Sequence, residues 1–445
     1  MSYPAYVETK ASGVAWLGDV PHDWEVKRTR YACQLNPKKS EISGLPPDTL
    51  VSFLPMEKVG TEGETVLDEN RAIEDVLQGF TYFRDEDIIV AKITPCFENG
   101  KGALVSQLTG GIGFGSTEFH VLRPERHNAP RFIYYLTKSG IFRALGTASM
   151  YGAGGQKRVP EDFIEDLRVA FPPLPEQRQI AAFLDRKTAE LDAVLRLKAR
   201  QLELLAEKRQ ALISQAVTQG LDPTVPLKAS GIDWLGNVPE HWEVKMLKRS
   251  SQIKRGASPR PIDDPIYFDE NGEYAWVRIA DVTASYVYLE ETVQRLSLLG
   301  TNLSVKLEPG ALFLSIAGSV GKACIAKIKC CIHDGFVYFP SLTANAKFLL
   351  YIFVAGEAYK GLGKLGTQLN LNTDTVGEIK IGFPPIAEQQ SIVAYIDRET
   401  ARMDGIAQAI RTQIEKVREY RQALISAAVT GKIDVRSIPA EAERA

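Results

Sequence analysis

The feature that most constrains this chain is that much of it is written twice. Residues 12–27 read SGVAWLGDVPHDWEVK and residues 230–245 read SGIDWLGNVPEHWEVK, so Ser12 aligns with Ser230 at an offset of 218 positions. FPPLPEQRQIAAFLDRKTAELD from Phe171 returns as FPPIAEQQSIVAYIDRETARMD from Phe383, an offset of 212 that also aligns RQALISQAVT from Arg209 with RQALISAAVT from Arg421. Between these blocks, residues 28–170 and 246–382 share little beyond their last stretches. A repeat of this length requires two copies of one structural unit. Each unit is a shared opening segment, a divergent globular insert and a shared terminal segment, which suggests two recognition tasks on one frame.

The terminal segments read as long helices. Pro172 and Pro173 forbid helix before them, Pro175 suits a first turn, and Glu176 places negative charge at the positive end of the helix dipole. Leu184, Leu191, Leu195, Leu202, Leu205 and Leu212 then fall at steps built from three and four residues, as do Ile396, Met403, Ile410, Ile414, Val417 and Leu424. Gly220 and Gly431 mark the ends. Each helix runs for about 44 residues, or roughly 66 Å. A single apolar stripe needs a partner, and the other copy supplies one, giving an antiparallel intramolecular coiled coil with a globular domain at each end. Ala387 in place of Pro175, with Arg402 and Gly405 inside the helix, makes the second copy less regular.

The inserts are rich in Gly, Pro and short apolar runs such as DIIVAKITPC and ALFLSIAG, which read as strands joined by tight turns, with helical pieces at RFIYYLTKSGIFRALG and AKFLLYIFVAG. The fold class is α+β, with a pseudo-twofold internal repeat. Candidate nucleic-acid contacts lie at strand ends. In the first insert they are Lys92, Thr94, Asn99 and Lys101, with Gln156, Lys157 and Arg158 after a Gly-rich turn; in the second they are Lys254, Arg255, Arg260, Ser315, Ser319, Lys322, Gln368 and Asn370. Lys and Arg neutralise phosphates, and Arg, Gln and Asn make bidentate bonds to purine edges.

Other chemistries are poorly served. Gly321 and Lys322 resemble the end of a phosphate loop, but Ile316 stands where its first Gly belongs and Ala323 where it needs Ser or Thr. The Pro-Pro pairs at Pro46, Pro172 and Pro384 lack the flanking residues with which amino-methyltransferases grip a flipped base, and no dinucleotide-type Gly loop is evident. Asp85, Asp87 and Lys92 loosely match a nuclease core, although an Asp at the turn before a buried strand is the plainer reading. Cys33, Cys96, Cys324, Cys330 and Cys331 lack zinc-knuckle spacing, even with His333 nearby, and read as reduced thiols. The 53 basic and 55 acidic residues leave a net charge of −2, so any nucleic-acid surface is local or completed by partners. No run approaches the length of a membrane span and no signal peptide opens the chain; a cytoplasmic protein without catalysis, metal or bound cofactor is expected.

The duplicated half-unit, the FPPLPEQRQIAAFLD and FPPIAEQQSIVAYID blocks, the RQALIS helix ends, the ENGKG and GSVGK turns and the GTQLNLN segment resemble the specificity subunits of type I restriction-modification systems over nearly the whole chain. That resemblance implies an opening segment at 1–27, a target-recognition domain at 28–170, a helical spacer at 171–220, a linker and repeated opening segment at 221–245, a second target-recognition domain at 246–382, a second spacer at 383–432 and a flexible tail at 433–445. It implies recognition of a bipartite, asymmetric sequence in double-stranded DNA, with half-sites about one helical turn apart, roughly 34 to 36 Å. It further implies docking of two methyltransferase subunits, through the frame and the segments at Trp16, Trp24, Trp234 and Trp242, and of two restriction-translocase subunits. Those partners, rather than this chain, would use S-adenosylmethionine, ATP and magnesium. Two other readings stay open: an orphan or methylation-only recognition subunit, and a coiled-coil scaffold that binds no DNA.

Overall fold

The computed structural model describes residues 3–153, 155–359 and 371–438. The chain forms two compact units, one of residues 1–198 with 412–445 and the other of residues 199–411. Two long helices are shared between them: α2, Leu174–Gln219, and α4, Ile386–Val429. The first unit holds the start of α2 and the end of α4, and the second holds the converse, so the helices run in opposite directions. Both begin at the same motif position, since Leu174 and Ile386 each follow a Pro-Pro pair. Ala387 therefore changes nothing at the start, and α4 continues through Arg402 and Gly405 without interruption, contrary to the irregularity expected of it. In the first unit Arg421 bonds Asp192 at 3.0 Å; in the second Arg209 pairs with Asp404.

The inserts, so different in sequence, have one topology. In the first, β1 (Cys33–Leu35), β8 (Phe119–Pro124), β5 (Ile88–Ala91) and β6 (Gly102–Leu104) form a sheet in that order. A second sheet is ordered β3 (Asn70–Ala72), β2 (Leu50–Leu54), β7 (Ile112–Gly115), β4 (Thr81–Arg84). Its central pair β2/β7 is parallel, with Phe53 opposite Phe114.

The second insert repeats this plan. β9 (Lys254–Arg255), β17 (Phe336–Tyr338), β14 (Leu312–Ser315) and β15 (Ala323–Ala326) lie in order and gain an edge strand, β11 (Tyr288–Leu289). The other sheet is β12 (Gln294–Leu296), β10 (Tyr274–Val277), β16 (Cys330–Ile332), β13 (Val305–Leu307), again with a parallel centre, where Trp276 faces Cys331. Runs such as Ile88–Ala91 and Leu312–Ser315 are buried at every position, as strands covered on both faces must be. Cys330 and Cys331 alternate across β16 into different core clusters. Burial pushes both thiols up to about 12, which keeps them protonated packing groups.

The repeated blocks fasten each insert to its frame. In the first unit Trp24 is fully buried, and its indole N–H donates to Glu176 Oε1 at 3.3 Å, as does the Tyr6 hydroxyl at 2.5 Å. The neighbouring Gln177 accepts the Ala129 N–H at 2.8 Å, immediately before α1 (Pro130–Lys138), and donates to the Pro172 carbonyl at 2.9 Å. Two turns further along, Asp185 receives Arg131 at 2.7 Å and the Tyr135 hydroxyl at 2.6 Å. The second unit repeats these contacts except that of Tyr6, in whose place His241 bonds Glu388 at 2.8 Å. Trp242 donates to Glu388 at 3.0 Å, Gln389 accepts the Asn345 N–H at 2.8 Å ahead of α3 (Ala346–Ala355), and Asp397 holds Lys347 at 2.7 Å and the Tyr351 hydroxyl. The Glu-Gln pair of the motif is therefore a joint, with one side chain for the opening segment and the other for the insert.

After each long helix, a left-handed glycine meets an opening segment. Gly431 has φ +73° and leaves space that a Cβ would close to 2.3 Å from Pro21, while Gly220 packs against Trp242. Residues 433–445 were expected to be a flexible tail, but Ile433 and Val435 are buried, the Asp434 N–H donates to the Pro4 carbonyl at 2.8 Å, and Arg436 covers the Tyr6 ring at 4.9 Å. Apolar side chains and a backbone bond thus fix residues 433–438; residues 439–445 lie outside the described residues.

Candidate nucleic-acid interface

In the first insert, the chain leaving β5 at Ala91 pairs with the segment that precedes the closing strand. Ile93 bridges Arg158, the Val159 N–H donates to the Lys92 carbonyl at 2.8 Å and the Thr94 N–H to the Lys157 carbonyl at 3.0 Å. Lys92, Thr94, Gln156, Lys157 and Arg158 are thereby brought together. Their freedom differs. The Thr94 hydroxyl donates to the Gly155 carbonyl at 2.6 Å and accepts the Lys157 N–H at 3.1 Å, so it is a fastener. Arg158 closes its fork on Glu118, with Nε at 3.0 Å and Nη2 at 2.8 Å, and this guanidinium holds the Glu118 carboxyl below the usual range. Gln156 and Lys157 are exposed and bond nothing through their side chains among the described residues.

Asn99 is exposed on the turn between β5 and β6, while Lys101 is half-buried and donates to the Met56 carbonyl at 3.1 Å. Two residues that sequence reasoning missed support this surface. Lys138, at the end of α1, buries its ammonium against the carbonyls of Thr61 at 2.5 Å and Gly100 at 2.7 Å, and burial pushes its pKa down to about 8. His120 on β8 shares a hydrogen bond of 2.9 Å between Nε2 and the Val159 carbonyl. A carbonyl only accepts, so Nε2 carries the proton and the buried Nδ1 has no partner among the described residues; burial also lowers the His120 pKa. Neither side chain stands in a motif, so only the fold reveals them.

In the second insert, the Gly256 N–H donates to the Phe336 carbonyl at 2.9 Å and the Ile316 N–H to the Gly335 carbonyl at 2.8 Å. These bonds stitch the 254–260 segment, the 316–322 turn and the 333–335 turn into one rim. Lys254, Ser319 and Lys322 are exposed on it. Asp334 organises its basic part, accepting Ser258 at 2.7 Å and Arg260 at 2.9 Å, while its backbone carbonyl takes Arg255 Nε at 2.5 Å. The Ser258 bond and the Arg260 charge hold the Asp334 carboxyl below its ordinary pKa. Ser315 is fully buried and bonds the Ser319 carbonyl and the Lys322 N–H, so it shapes the turn and offers no free hydroxyl. The glycines of that turn, Gly318 at φ +64° and Gly321 at φ +85°, occupy the left-handed region that a side chain resists. Gln368 and Asn370 lie outside the described residues.

The nuclease-like carboxylates are otherwise engaged. Asp87 is 1% exposed and takes Arg123 through both oxygens, each at 2.7 Å, and Asp85 accepts the Leu108 N–H at 3.0 Å. Among the described residues no group of three His, Cys, Asp or Glu side chains could hold a metal ion, and no helix is long and apolar enough to cross a membrane.

Paired inserts of one topology, each with its own polar rim, on a twice-repeated frame are the setting in which comparison with known proteins decides. Residues 72–203 and 239–416 match the family model of the type I restriction modification DNA specificity domain. The chain belongs to that family. A curated relative, the EcoEI type I restriction enzyme specificity subunit of Escherichia coli, is 25% identical over 92% of this chain and 83% of its own length. The EcoAI specificity subunit of the same species is 40% identical, but over 36% of this chain and 27% of its own length. The MjaX subunit of Methanocaldococcus jannaschii, itself a provisional assignment to the family, is 22% identical over 95% and 96% of the two chains. Among solved structures, a chain from a study of complex assembly and conformational transition of the type I R-M system matches with a TM-score of 0.75 at 22% identity, covering 93% of this chain and 99% of that one. The HsdS subunit of Thermoanaerobacter tengcongensis matches with a TM-score of 0.57, also at 22% identity, over 93% and 98%. At these identities the structures speak for the fold, which is thus that of the specificity family: mixed α/β inserts joined to two long helices.

Proposed function

We propose that this specificity-family chain reads a bipartite, asymmetric sequence in double-stranded DNA, one half-site through residues 28–170 and the other through 246–382. The observation that carries this reading is the coexistence of two inserts with the same strand order and different polar rims, each fastened by the same Glu-Gln joint to the repeated frame. A scaffold needs no such divergence; a reader of two unlike half-sites does. Lys92, Asn99, Gln156 and Lys157 in one insert, and Lys254, Arg255, Arg260, Ser319 and Lys322 in the other, supply phosphate and base contacts. Thr94, Lys101, Arg158 and Ser315 act chiefly by holding those surfaces in shape.

The repeated helices and opening segments dock two methyltransferase and two restriction-translocase subunits. S-adenosylmethionine, ATP and magnesium belong to those partners, and this chain contributes choice of target rather than catalysis. Single-molecule methylation mapping of host DNA, with this gene present and deleted, tests the reading. Loss of N6-methyladenine from one split motif is the expected result. An unchanged methylome in cells that express the partner genes would overturn the active role and leave an orphan subunit.

A further inference from the structure

The second insert contains a cleft of about 960 Å³ that no sequence motif announced. It adjoins the rim: Ile279, which follows the lining Arg278 and opens a short helix, lies 3.4 Å from the position of a Cβ on Gly318, and His333 directly precedes the Asp334 that gathers Arg255 and Arg260. Its donors are under-used. The Arg278 Nε is buried with no partner among the described residues, and Nη2 reaches Asp281 only at 3.4 Å. His333 accepts the Gly335 N–H on Nδ1 at 2.9 Å, which places the proton on Nε2 and leaves that N–H without an acceptor among the described residues. Burial lowers the His333 pKa and so favours this neutral form. By contrast, the Arg295 guanidinium is spent on the Gly272 and Glu273 carbonyls at 2.6 and 3.0 Å. Asp263, Asp269 and Glu270 line the same cleft and make it inhospitable to phosphate.

Donors that lack acceptors, beside carboxylates that repel a backbone, suit the edge of a base pair. In the major groove a G·C pair presents the O6 and N7 acceptors of guanine next to the N4 amino donor of cytosine. We propose that this cleft reads one G·C pair of its half-site, with the Arg278 guanidinium on guanine O6 and N7, His333 supporting it, and a cleft carboxylate accepting from cytosine N4. The assignment rests on the DNA-reading role proposed above and names the base pair and the specificity-determining residue within it.

Full-length protein and its Arg278→Lys and Arg278→Ala variants, each checked for folding by thermal melting, are used to select bound duplexes from a random DNA pool. The selected pools are then sequenced. The wild-type chain should enrich a split motif with a fixed G·C pair, and both variants should lower the preference for that pair by about tenfold to a hundredfold while the other half-site is unchanged. Arg278→Lys keeps the charge and loses the fork, so it carries the test even where Arg278→Ala folds poorly. The same G·C preference in wild type and Arg278→Lys overturns the assignment and leaves the DNA-reading role standing. A wild-type pool with no split motif overturns that role itself, and the assignment with it.

Discussion

Removal of the Glu176 carboxylate strands two buried donors at once. Tyr6 is 8% exposed and Trp24 fully buried, and both donate to Glu176 Oε1, at 2.5 and 3.3 Å. A buried donor left without an acceptor costs about 1–3 kcal/mol, so Glu176→Ala, which strands two, should weaken the opening segment of the first unit by roughly 2–6 kcal/mol. The second unit provides an internal comparison. Glu388 accepts Trp242, which is buried, and His241 at 2.8 Å, whose side chain is 44% exposed and can turn to water. Glu388→Ala strands a single buried donor, which sets its cost at about 1–3 kcal/mol. Hydrogen exchange read by mass spectrometry on peptides spanning residues 17–28 and 235–246 measures each local opening separately, at tenfold per 1.4 kcal/mol. We expect exchange of the first peptide in Glu176→Ala to accelerate roughly fivefold to a hundredfold more than that of the second in Glu388→Ala, and Glu176→Gln, which keeps a carbonyl acceptor, to recover most of the loss. Equal acceleration in the two units, or none in the first, would refute the view that the motif glutamate is a hydrogen-bonding joint.

Three further outcomes follow from the same contacts. Asp87→Ala leaves Arg123 buried with Glu41 as its remaining partner at 2.6 Å, and should cost about 3 kcal/mol, the lower end for a broken buried pair, in urea unfolding followed by far-UV circular dichroism; a neutral substitution would contradict the structural role. His120 is held neutral by burial, so its folded pKa lies below the ordinary 6.5 and the stability it contributes is complete above that value and lost as pH falls through it towards the folded pKa; exchange at residues 151–159, corrected for intrinsic rate, should rise on acidification, and His120→Gln should flatten the response. Lys157→Ala should weaken DNA binding about equally across target sequences and lower the slope of log affinity against log salt by about 1, as measured by fluorescence anisotropy; a change of sequence preference instead would make Lys157 a base reader.

The frame was legible because its signals are local and doubled. Pro-Pro before an apolar stripe, glycine after it and two Trp residues at fixed spacing mark the helices and opening segments wherever they fold. What the Glu and Gln of the motif do was not legible, since Trp24 and Ala129 reach them from more than forty positions away. The common topology of the inserts escaped for a related reason: strand order depends on which faces are apolar, a condition met by IIVA in one insert and LFLS in the other with no shared residue. Among the candidate contacts, residue type identified chemistry but not availability. Gln156 and Arg158 look alike as readers until Glu118 is seen to occupy the arginine, and Ser315 looks like Ser319 until burial separates them. Arg278 passed unnoticed because an arginine after a strand is common, and only its missing acceptor makes it unusual.

Each compact unit borrows its final helical turns from the opposite repeat: Ile213, Ala216 and Val217 join the core around Trp242, while Leu424, Ile425, Ala428 and Val429 join that around Trp24. A lone repeat would therefore expose one docking face and present one unsupported helix end, and a second copy of the same half-chain would satisfy both. Each half of the chain thus completes the core of the other. Pro4 meeting Asp434 closes the circuit that the 220–230 connection already bridges. Covalent linkage keeps two unlike inserts together in one molecule, where a dimer of identical halves would carry the same insert twice.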